Sequence, residues 1–266
     1  MRKHLYFKDE NSTLYLADSL ELLPKFDAEY VDVIFADPPY FLSSGGITCR
    51  GGKAVSVNKG DWDKTLTLDD KHKFNLQWIN LCRRILKPNG TIWISGTLHN
   101  IYSVGMALEQ TGFKIMNNIT WQKTNPPPNL SCRYFTHSTE TILWAKKNAS
   151  AKHFFNYALM KELNGGKQMK DVWSDACSDI WTGTLTPKRE KIFGKHPAQK
   201  PLYLLKKILL ASTREGDLIL DPFCGSGTTG VACKLLGGRK FIGIENDRDF
   251  IALAKERLIR IDEQNF

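Results

Sequence analysis

Four consecutive residues, Asp37-Pro38-Pro39-Tyr40, combine a hydrogen-bond acceptor, two stiff backbone units and an amphipathic ring. An ionised carboxylate only accepts hydrogen bonds, and each proline fixes φ and removes a backbone donor. The acceptor is therefore held at a rigid turn. An acceptor and a ring about one turn apart suit a planar group with an amine on its edge, such as adenine or cytosine. The ring would stack on Tyr40, the amine would donate to Asp37, and the Pro38 carbonyl would be a second acceptor. Asp37 has no counter-charge next to it in sequence. Taken alone, the tetrapeptide also reads as an acid capping a turn with a tyrosine packed over it.

The elements around the turn give it a setting. Val31 to Ala36 is, but for Asp32, apolar and β-favouring, the pattern of a buried strand. A ladder cannot run through two prolines, so the strand stops at Asp37. In open α/β sheets, ligands bind at the carboxyl ends of strands. A second such end follows Leu218-Ile219-Leu220, which runs into Asp221-Pro222-Phe223-Cys224-Gly225-Ser226-Gly227-Thr228-Thr229 and a helix over 228–236. Gly225 and Gly227 let the backbone approach a ligand closely. A G-x-G loop is common to many nucleotide sites, but Glu245 sharpens it. That acid ends the next strand, about twenty residues on, where it can hold both ribose hydroxyls. No G-x-x-x-x-G-K-[ST] occurs, which disfavours a triphosphate. Leu14 to Asp18 is a short strand ending in an acid, and Asp18 is either an acceptor at the same sheet edge or the N-cap of a short helix over 19–26. Cys224 reads as a small filler.

These motifs carry a resemblance. Asp37-Pro38-Pro39-Tyr40 resembles the catalytic motif of amino-group DNA methyltransferases, and the stretch from Asp221 to Thr229 resembles their S-adenosylmethionine loop. The catalytic motif lies N-terminal to the cofactor loop, the order of the permuted β group. His196-Pro197-Ala198-Gln199-Lys200-Pro201 looks like that group's remaining signature, with Ala198 where Thr is usual. The resemblance implies an α/β fold with a mostly parallel sheet and helices on both faces, Rossmann-like and permuted. It implies S-adenosylmethionine as cofactor, held by Asp18, Lys200, Asp221, Phe223, Gly225, Gly227, Thr228 and Glu245. Asp37, Pro38, Pro39 and Tyr40 are the catalytic set, and no metal is called for. Residues 1–145 form the catalytic half, 146–195 a target-recognition insertion, and 196–266 the cofactor half. The partner is DNA, double-stranded and also single-stranded, and many β-group relatives pair as dimers. Asp at the first motif position is commoner among adenine-N6 enzymes than cytosine-N4 enzymes. The stretch Asn118 to Asn125 and the prolines after it look like restriction-system adenine methyltransferases that recognise GATC. Cytosine-N4 transfer and a non-catalytic DNA-binding homologue are the alternatives.

Composition agrees with an acidic polymer as partner. The chain has 266 residues and a net charge of +9, with a pI near 9.2. Lys and Arg at phosphates release counterions and raise affinity. The basic stretches are Arg50, Lys53 and Lys59 in a long polar loop over 41–59, expected to lack structure of its own and to order as a flap on DNA. Trp62, just beyond, anchors that loop. Asn125 and Arg133 sit in a proline-stiffened loop over 123–135, and Lys188, Arg189 and Lys191 in the insertion. Six cysteines without a C-x-x-C pair argue against a zinc site. No apolar run is long enough to span a membrane, and the N-terminus lacks a signal-peptide core, so a cytoplasmic location with reduced thiols is expected. Further helices are expected over 67–86, 100–109, 201–211 and 250–261. Strands are expected over 91–95, 113–121 and 140–145, with a turn at Lys87-Pro88-Asn89-Gly90.

Overall fold

The computed structural model describes residues 1–41, 47–50, 53–56, 67–123, 126, 128–174, 186–194 and 196–261. The expected positions Lys59, Trp62 and Asn125 lie outside the described residues. The centre is β3 (Val31–Ala36), buried on both faces: Ile34 and Ala36 enter one core, Val33 and Phe35 the other. A strand covered on both sides has no polar face, which is why it reads as apolar from Val33 to Ala36, with Asp32 near its start the one polar residue.

Nine strands form one sheet. In chain order they are β1 (Leu5–Lys8), β2 (Ser12–Leu16), β3, β6 (Leu86–Gly96), β7 (Lys114–Gln122), β8 (Thr139–Lys146), β9 (Val172–Ser174), β10 (Leu218–Asp221) and β11 (Lys240–Glu245). Their spatial order is β1-β2-β11-β10-β3-β6-β8-β7-β9. The run β2-β11-β10-β3-β6 is parallel, whereas β8 is antiparallel to both β6 and β7. The expected mostly parallel sheet is therefore present, with antiparallel strands at β1 on one edge and β8 toward the other.

Helices cover both faces. The first core packs α1 (Ser19–Leu22), α2 (Leu68–Ile85) and α3 (Ile101–Gln110) through Leu22, Trp78, Ile79, Ile85, Val104 and Leu108. The second packs α5 (Leu202–Ser212), α6 (Thr228–Leu236) and α7 (Arg248–Ile259) through Leu205, Ile208, Val231, Ala254 and Leu258. Thr67 caps α2 by accepting the Asp70 N–H at 3.1 Å, with Asp69 and Asp70 in its first turn.

Two expectations are corrected. The stretch 41–59 is not wholly without structure: β4 (Ile47–Arg50) and β5 (Lys53–Ser56) form a separate antiparallel hairpin, with Arg50 opposite Lys53. Residues 87–90 do not interrupt the chain before a strand at Thr91; β6 begins at Leu86. Its pairing with β3 jumps from Val31↔Leu86 to Val33↔Thr91, so Pro88 sits in a bulge where it owes no ladder bond. Part of the stretch 146–195 also contributes to the main body. Its strand β9 extends the sheet beside β7, and its α4 (Tyr157–Leu163) buries Met160. Trp173 of β9 packs near Trp93, which stacks on Trp144 at 4.5 Å.

Candidate active site

β10 and β3 are parallel neighbours, with Ile219 opposite Val33 and Leu220 opposite Ile34. From β10 the chain passes through α6 to β11 on one side. From β3 it passes through α2 to β6 on the other. The strand order therefore diverges between β10 and β3, and the crevice beyond their carboxyl ends is a topological switch point. The turn Asp37–Tyr40 leaves β3 there, and the glycine loop leaves β10. Two motifs far apart in sequence thus face one cavity of about 330 Å³. Its lining includes Asp18, Asp37, Pro38, Pro39, Tyr40, Lys200, Asp221, Phe223, Gly225, Thr228 and Glu245. Gly227 supports this lining from behind: φ is +73°, and a Cβ there would meet the Ala254 Cβ at 2.9 Å.

The Asp37 carboxylate is fully engaged. Oδ1 accepts from the Tyr40 hydroxyl at 2.6 Å and from Ser95 Oγ at 2.5 Å; Oδ2 accepts from Lys200 Nζ at 2.6 Å. This corrects the sequence picture of an acid without a counter-charge: the fold brings Lys200 to it from 163 residues away. Lys200 also donates to the Tyr40 hydroxyl at 3.0 Å, so its ammonium sits on the catalytic pair within the shared cavity. Burial alone would raise the Asp37 carboxyl; the Lys200 charge and the bonds from Lys200, Ser95 and Tyr40 outweigh it and hold it below the usual carboxylate range. Burial and the Asp37 charge push the Tyr40 hydroxyl well up, so it stays a donor. Burial opposes the Lys200 charge, but Asp37, Tyr40 and Glu140 together raise it well above the ordinary lysine value. The Tyr40 ring is 6% exposed, more enclosed than a free stacking platform.

The cofactor half is equally built. Asp221 is buried, its Oδ1 accepting the Phe223 N–H and its Oδ2 the Thr229 hydroxyl. Burial pushes its carboxyl up to about 7. Glu245 ends β11 as expected; Oε2 accepts the Gly225 N–H at 2.8 Å and Oε1 the Asp247 N–H at 2.9 Å. Gly225 has φ +49°, and a Cβ there would meet the His196 ring at 3.0 Å. Asp18 caps α1, its Oδ1 accepting the Leu20 N–H at 2.6 Å, and its side chain also borders the cavity. Both roles weighed for it are thus compatible. Burial raises the Cys224 thiol well above its ordinary value, as suits a filler rather than a nucleophile.

Sequence reasoning missed three groups. Ser95 was readable in principle: Ala36 pairs with Ile94, which puts the next residue of β6 beside Asp37. Glu140, on β8, bonds Lys123 and lies 3.6 Å from Lys200 Nζ. Arg257, on α7, is buried and pins the glycine loop by donating to the Ser226 carbonyl at 2.7 Å and Thr228 Oγ1 at 2.9 Å. No local pattern marks either of the last two.

Of the basic candidates, the described side chains of Arg133 and Lys191 are not part of this lining. Arg50 and Lys53 belong to the β4–β5 hairpin, and Arg133 is exposed on the loop between β7 and β8. Lys188, Arg189 and Lys191 belong to a 3-10 turn. That turn is tied to α5 by buried Glu190, which accepts the Leu202 N–H at 2.9 Å. Among the described residues, no helix is long and apolar enough to cross a membrane, and no cluster of His, Cys, Asp or Glu is placed to hold a metal ion.

The switch-point crevice, its glycine loop and its paired acids define a Rossmann-like methyltransferase fold. Residues 31–256 match the family model described as DNA methylase, covering both N6 and N4 enzymes, and the chain belongs to that family. It is 65% identical over 254 residues to the Type II methyltransferase M2.LlaDCHI of Lactococcus lactis subsp. cremoris, covering 95% of this chain and 91% of that one. It is 62% identical over 261 residues to the Type II methyltransferase M2.DpnII of Streptococcus pneumoniae, covering 98% and 94%. Among solved structures it resembles the complex of M1.HpyAVI with SAM, at 29% identity and a TM-score of 0.62, covering 93% of this chain and 99% of that one. The cytosine-N4-specific PvuII DNA methyltransferase matches with a TM-score of 0.72 over 94% of this chain and 87% of that one, but at 20% identity it supports the fold alone.

Proposed function

We propose that the protein transfers a methyl group from S-adenosylmethionine to the exocyclic N6 of adenine in DNA, within GATC, as the modification arm of a restriction system. The observation that carries the reading is the meeting of Asp37 and the glycine loop in one cavity at the switch point. The residues fit the cofactor. Glu245 ends β11 where ribose hydroxyls are held, Gly225 and Gly227 clear the loop, and the buried carboxyls of Asp221 and Asp37 suit a cationic sulfonium. When bound, the cofactor supplies an electrophilic methyl group on a sulfonium that departs as a neutral thioether.

The chain's own residues do the rest. Asp37 and the Pro38 carbonyl accept from the two amine hydrogens. This localises the nitrogen lone pair and offsets the positive charge that develops on nitrogen as the N–C bond forms. The surplus proton leaves the nitrogen to the Asp37 carboxylate and then to solvent. Pro38 and Pro39 fix the acceptors, so orientation is set before the base arrives. A base within a duplex cannot reach this crevice, so it is extruded and stacked against Tyr40. Residues 146–195 are assigned to target recognition, with Arg50, Lys53, Lys59, Asn125, Arg133, Lys188, Arg189 and Lys191 positioning phosphates or reading bases. Duplex DNA is the principal substrate and single-stranded DNA a second; pairing as a dimer follows the habit of β-group relatives.

The test is methyl transfer from labelled S-adenosylmethionine to unmethylated plasmid DNA, with the product digested to nucleosides. N6-methyladenine confined to GATC is expected. N4-methylcytosine would overturn the base assignment, and cofactor binding without transfer to any DNA would overturn the catalytic reading.

A further inference from the structure

The Asp37 carboxylate that should receive the target amine is already occupied. Its Oδ1 holds two donors, Tyr40 and Ser95, which fills the lone pairs of a carboxylate oxygen. The remaining oxygen, Oδ2, accepts from Lys200 Nζ at 2.6 Å, on a lysine whose side chain is 8% exposed, so an amine reaching its second lone pair would share that oxygen with the ammonium. Beside that ammonium stands a second acid. Glu140 gives Oε1 to Lys123, but its Oε2 is buried and, among the described residues, has no hydrogen-bond partner. That oxygen lies 3.6 Å from Lys200 Nζ, beyond hydrogen-bond reach yet nearer than the next shell. A buried carboxylate oxygen without a donor is costly, and a native structure that keeps one calls for an explanation.

We infer that Lys200 and Glu140 form a two-position latch on Asp37: without a target base the Lys200 ammonium closes Asp37 Oδ2, and when the amine arrives the ammonium moves onto Glu140 Oε2. The inference rests on the reading of Asp37 as the amine acceptor. A shift of roughly 1 Å by Nζ brings Glu140 Oε2 to ordinary hydrogen-bond distance and opens Oδ2. The lysine stem is flexible, and its head carries three donors, so it can let go of one acid while reaching the other. Two acids, Asp37 and Glu140, face two lysines, Lys200 and Lys123, so the cluster stays neutral throughout the move. The latch thus keeps a buried carboxylate paired whenever no base is present and releases it to the one donor it is meant for. Lys200 and Glu140 act as positioning residues, through Asp37 rather than on the substrate.

The test separates binding from the methyl-transfer step. In Glu140→Gln the second position loses its charge, so the ammonium stays on Asp37. Affinities for S-adenosylmethionine and for a GATC duplex are expected within about twofold of the parent, while the single-turnover rate falls at least tenfold. Adding Lys200→Met to Glu140→Gln removes the latch itself. Once Lys200 is gone, Glu140→Gln has nothing left to act on, so the double variant is expected to match Lys200→Met alone rather than to multiply the two losses. A Glu140→Gln rate within twofold of the parent, or strictly multiplicative effects of the two substitutions, overturns the latch. If Glu140→Gln does not fold, a structure of the parent with a non-reactive cofactor analogue and a GATC duplex decides. Lys200 Nζ bonded to Glu140 Oε2, with the amine on Asp37, is expected; Nζ still on Asp37 Oδ2 beside a bound base overturns it. Asp37→Asn, assayed alongside, distinguishes the two failures. If it retains parental rate, the Asp37 reading itself is wrong; if it is inactive while Glu140→Gln is normal, only the latch falls.

Discussion

Replacing Asp37 by alanine separates the cost to the fold from the cost to the chemistry. The substitution strips a buried lysine of its counter-charge, and breaking one side of a buried pair costs about 3–5 kcal/mol. Glu140 Oε2, 3.6 Å from the same ammonium, can take up part of the charge, which places the expectation near the lower bound, about 3 kcal/mol. At roughly 2–4 °C per kcal/mol for a chain of this size, the melting temperature falls by about 6–12 °C. The effect on rate is larger. Removing one group that stabilises transition-state charge costs about 10²–10³ in rate. Here the group carries a full charge and also orients the amine, so a loss of about 10³-fold or more is expected. The cofactor site keeps Glu245, Asp221 and the glycine loop, so its affinity stays near that of the parent. The assay is single-turnover transfer of a labelled methyl group to a duplex, at least 10 °C below the variant's melting point, with cofactor affinity from calorimetry. Asp37→Asn keeps the shape and is expected to lose a similar factor in rate with a smaller loss of stability. A folded, cofactor-bound Asp37→Ala protein with a rate within tenfold of the parent would refute the role given to this carboxylate.

Other substitutions probe the neighbouring parts. Tyr40→Ala loses base stacking worth roughly 1–3 kcal/mol, whereas Tyr40→Phe keeps the ring and loses the hydroxyl's bonds to Asp37 and Lys200. Equal duplex methylation rates in both would remove the stacking role. Gly227→Ala places a Cβ 2.9 Å from the Ala254 Cβ at φ +73°, and is expected to lower stability by about 1–3 kcal/mol and weaken cofactor binding; unchanged melting and affinity would count against the close packing of α6 on α7. For Asp221, the folded carboxyl keeps its proton up to about pH 7, whereas an unfolded one releases it near 3.8. Its contribution to stability is therefore present at low pH and is lost as pH rises through that window. A cationic ligand favours the ionised form, so cofactor affinity rises with pH through about 7. Asp221→Asn should flatten both dependences in melting and calorimetry, and parental curves in that variant would contradict the assignment.

What the sequence discloses about this site follows from how local each signal is. β3 is legible because both its faces are buried, which leaves the apolar run Val33 to Ala36, and its end is legible because two prolines forbid a further ladder bond. Gly225, Gly227 and Glu245 are legible because a strand, a loop and the next strand are consecutive in the chain. The β4–β5 hairpin was missed although Gly51-Gly52 is a turn signal, because a glycine-rich polar stretch reads equally as loop. Residues 87–90 were misread because a proline that breaks a regular strand is tolerated in a bulge.

The pairing of Lys200 with Asp37 belongs to another order of information. Lys200 follows no strand and precedes a helix, and nothing nearby in sequence shows what it faces. Strand order decides it: β10 beside β3 brings the cofactor half against the catalytic turn, and β8 beside β6 brings Glu140 to the same place. A motif reading therefore finds an acid and a ring and takes both as free for substrate. The folded site instead holds them in a neutral network of two acids, two lysines, Tyr40 and Ser95. An acid so deeply enclosed would be driven toward its neutral form without that network, and a protonated carboxyl is a poor acceptor for an amine. The lysine that blocks Asp37 in the resting site is thus the same group that keeps it ionised for reaction, and turnover requires that the substrate displace it only as far as a second acid.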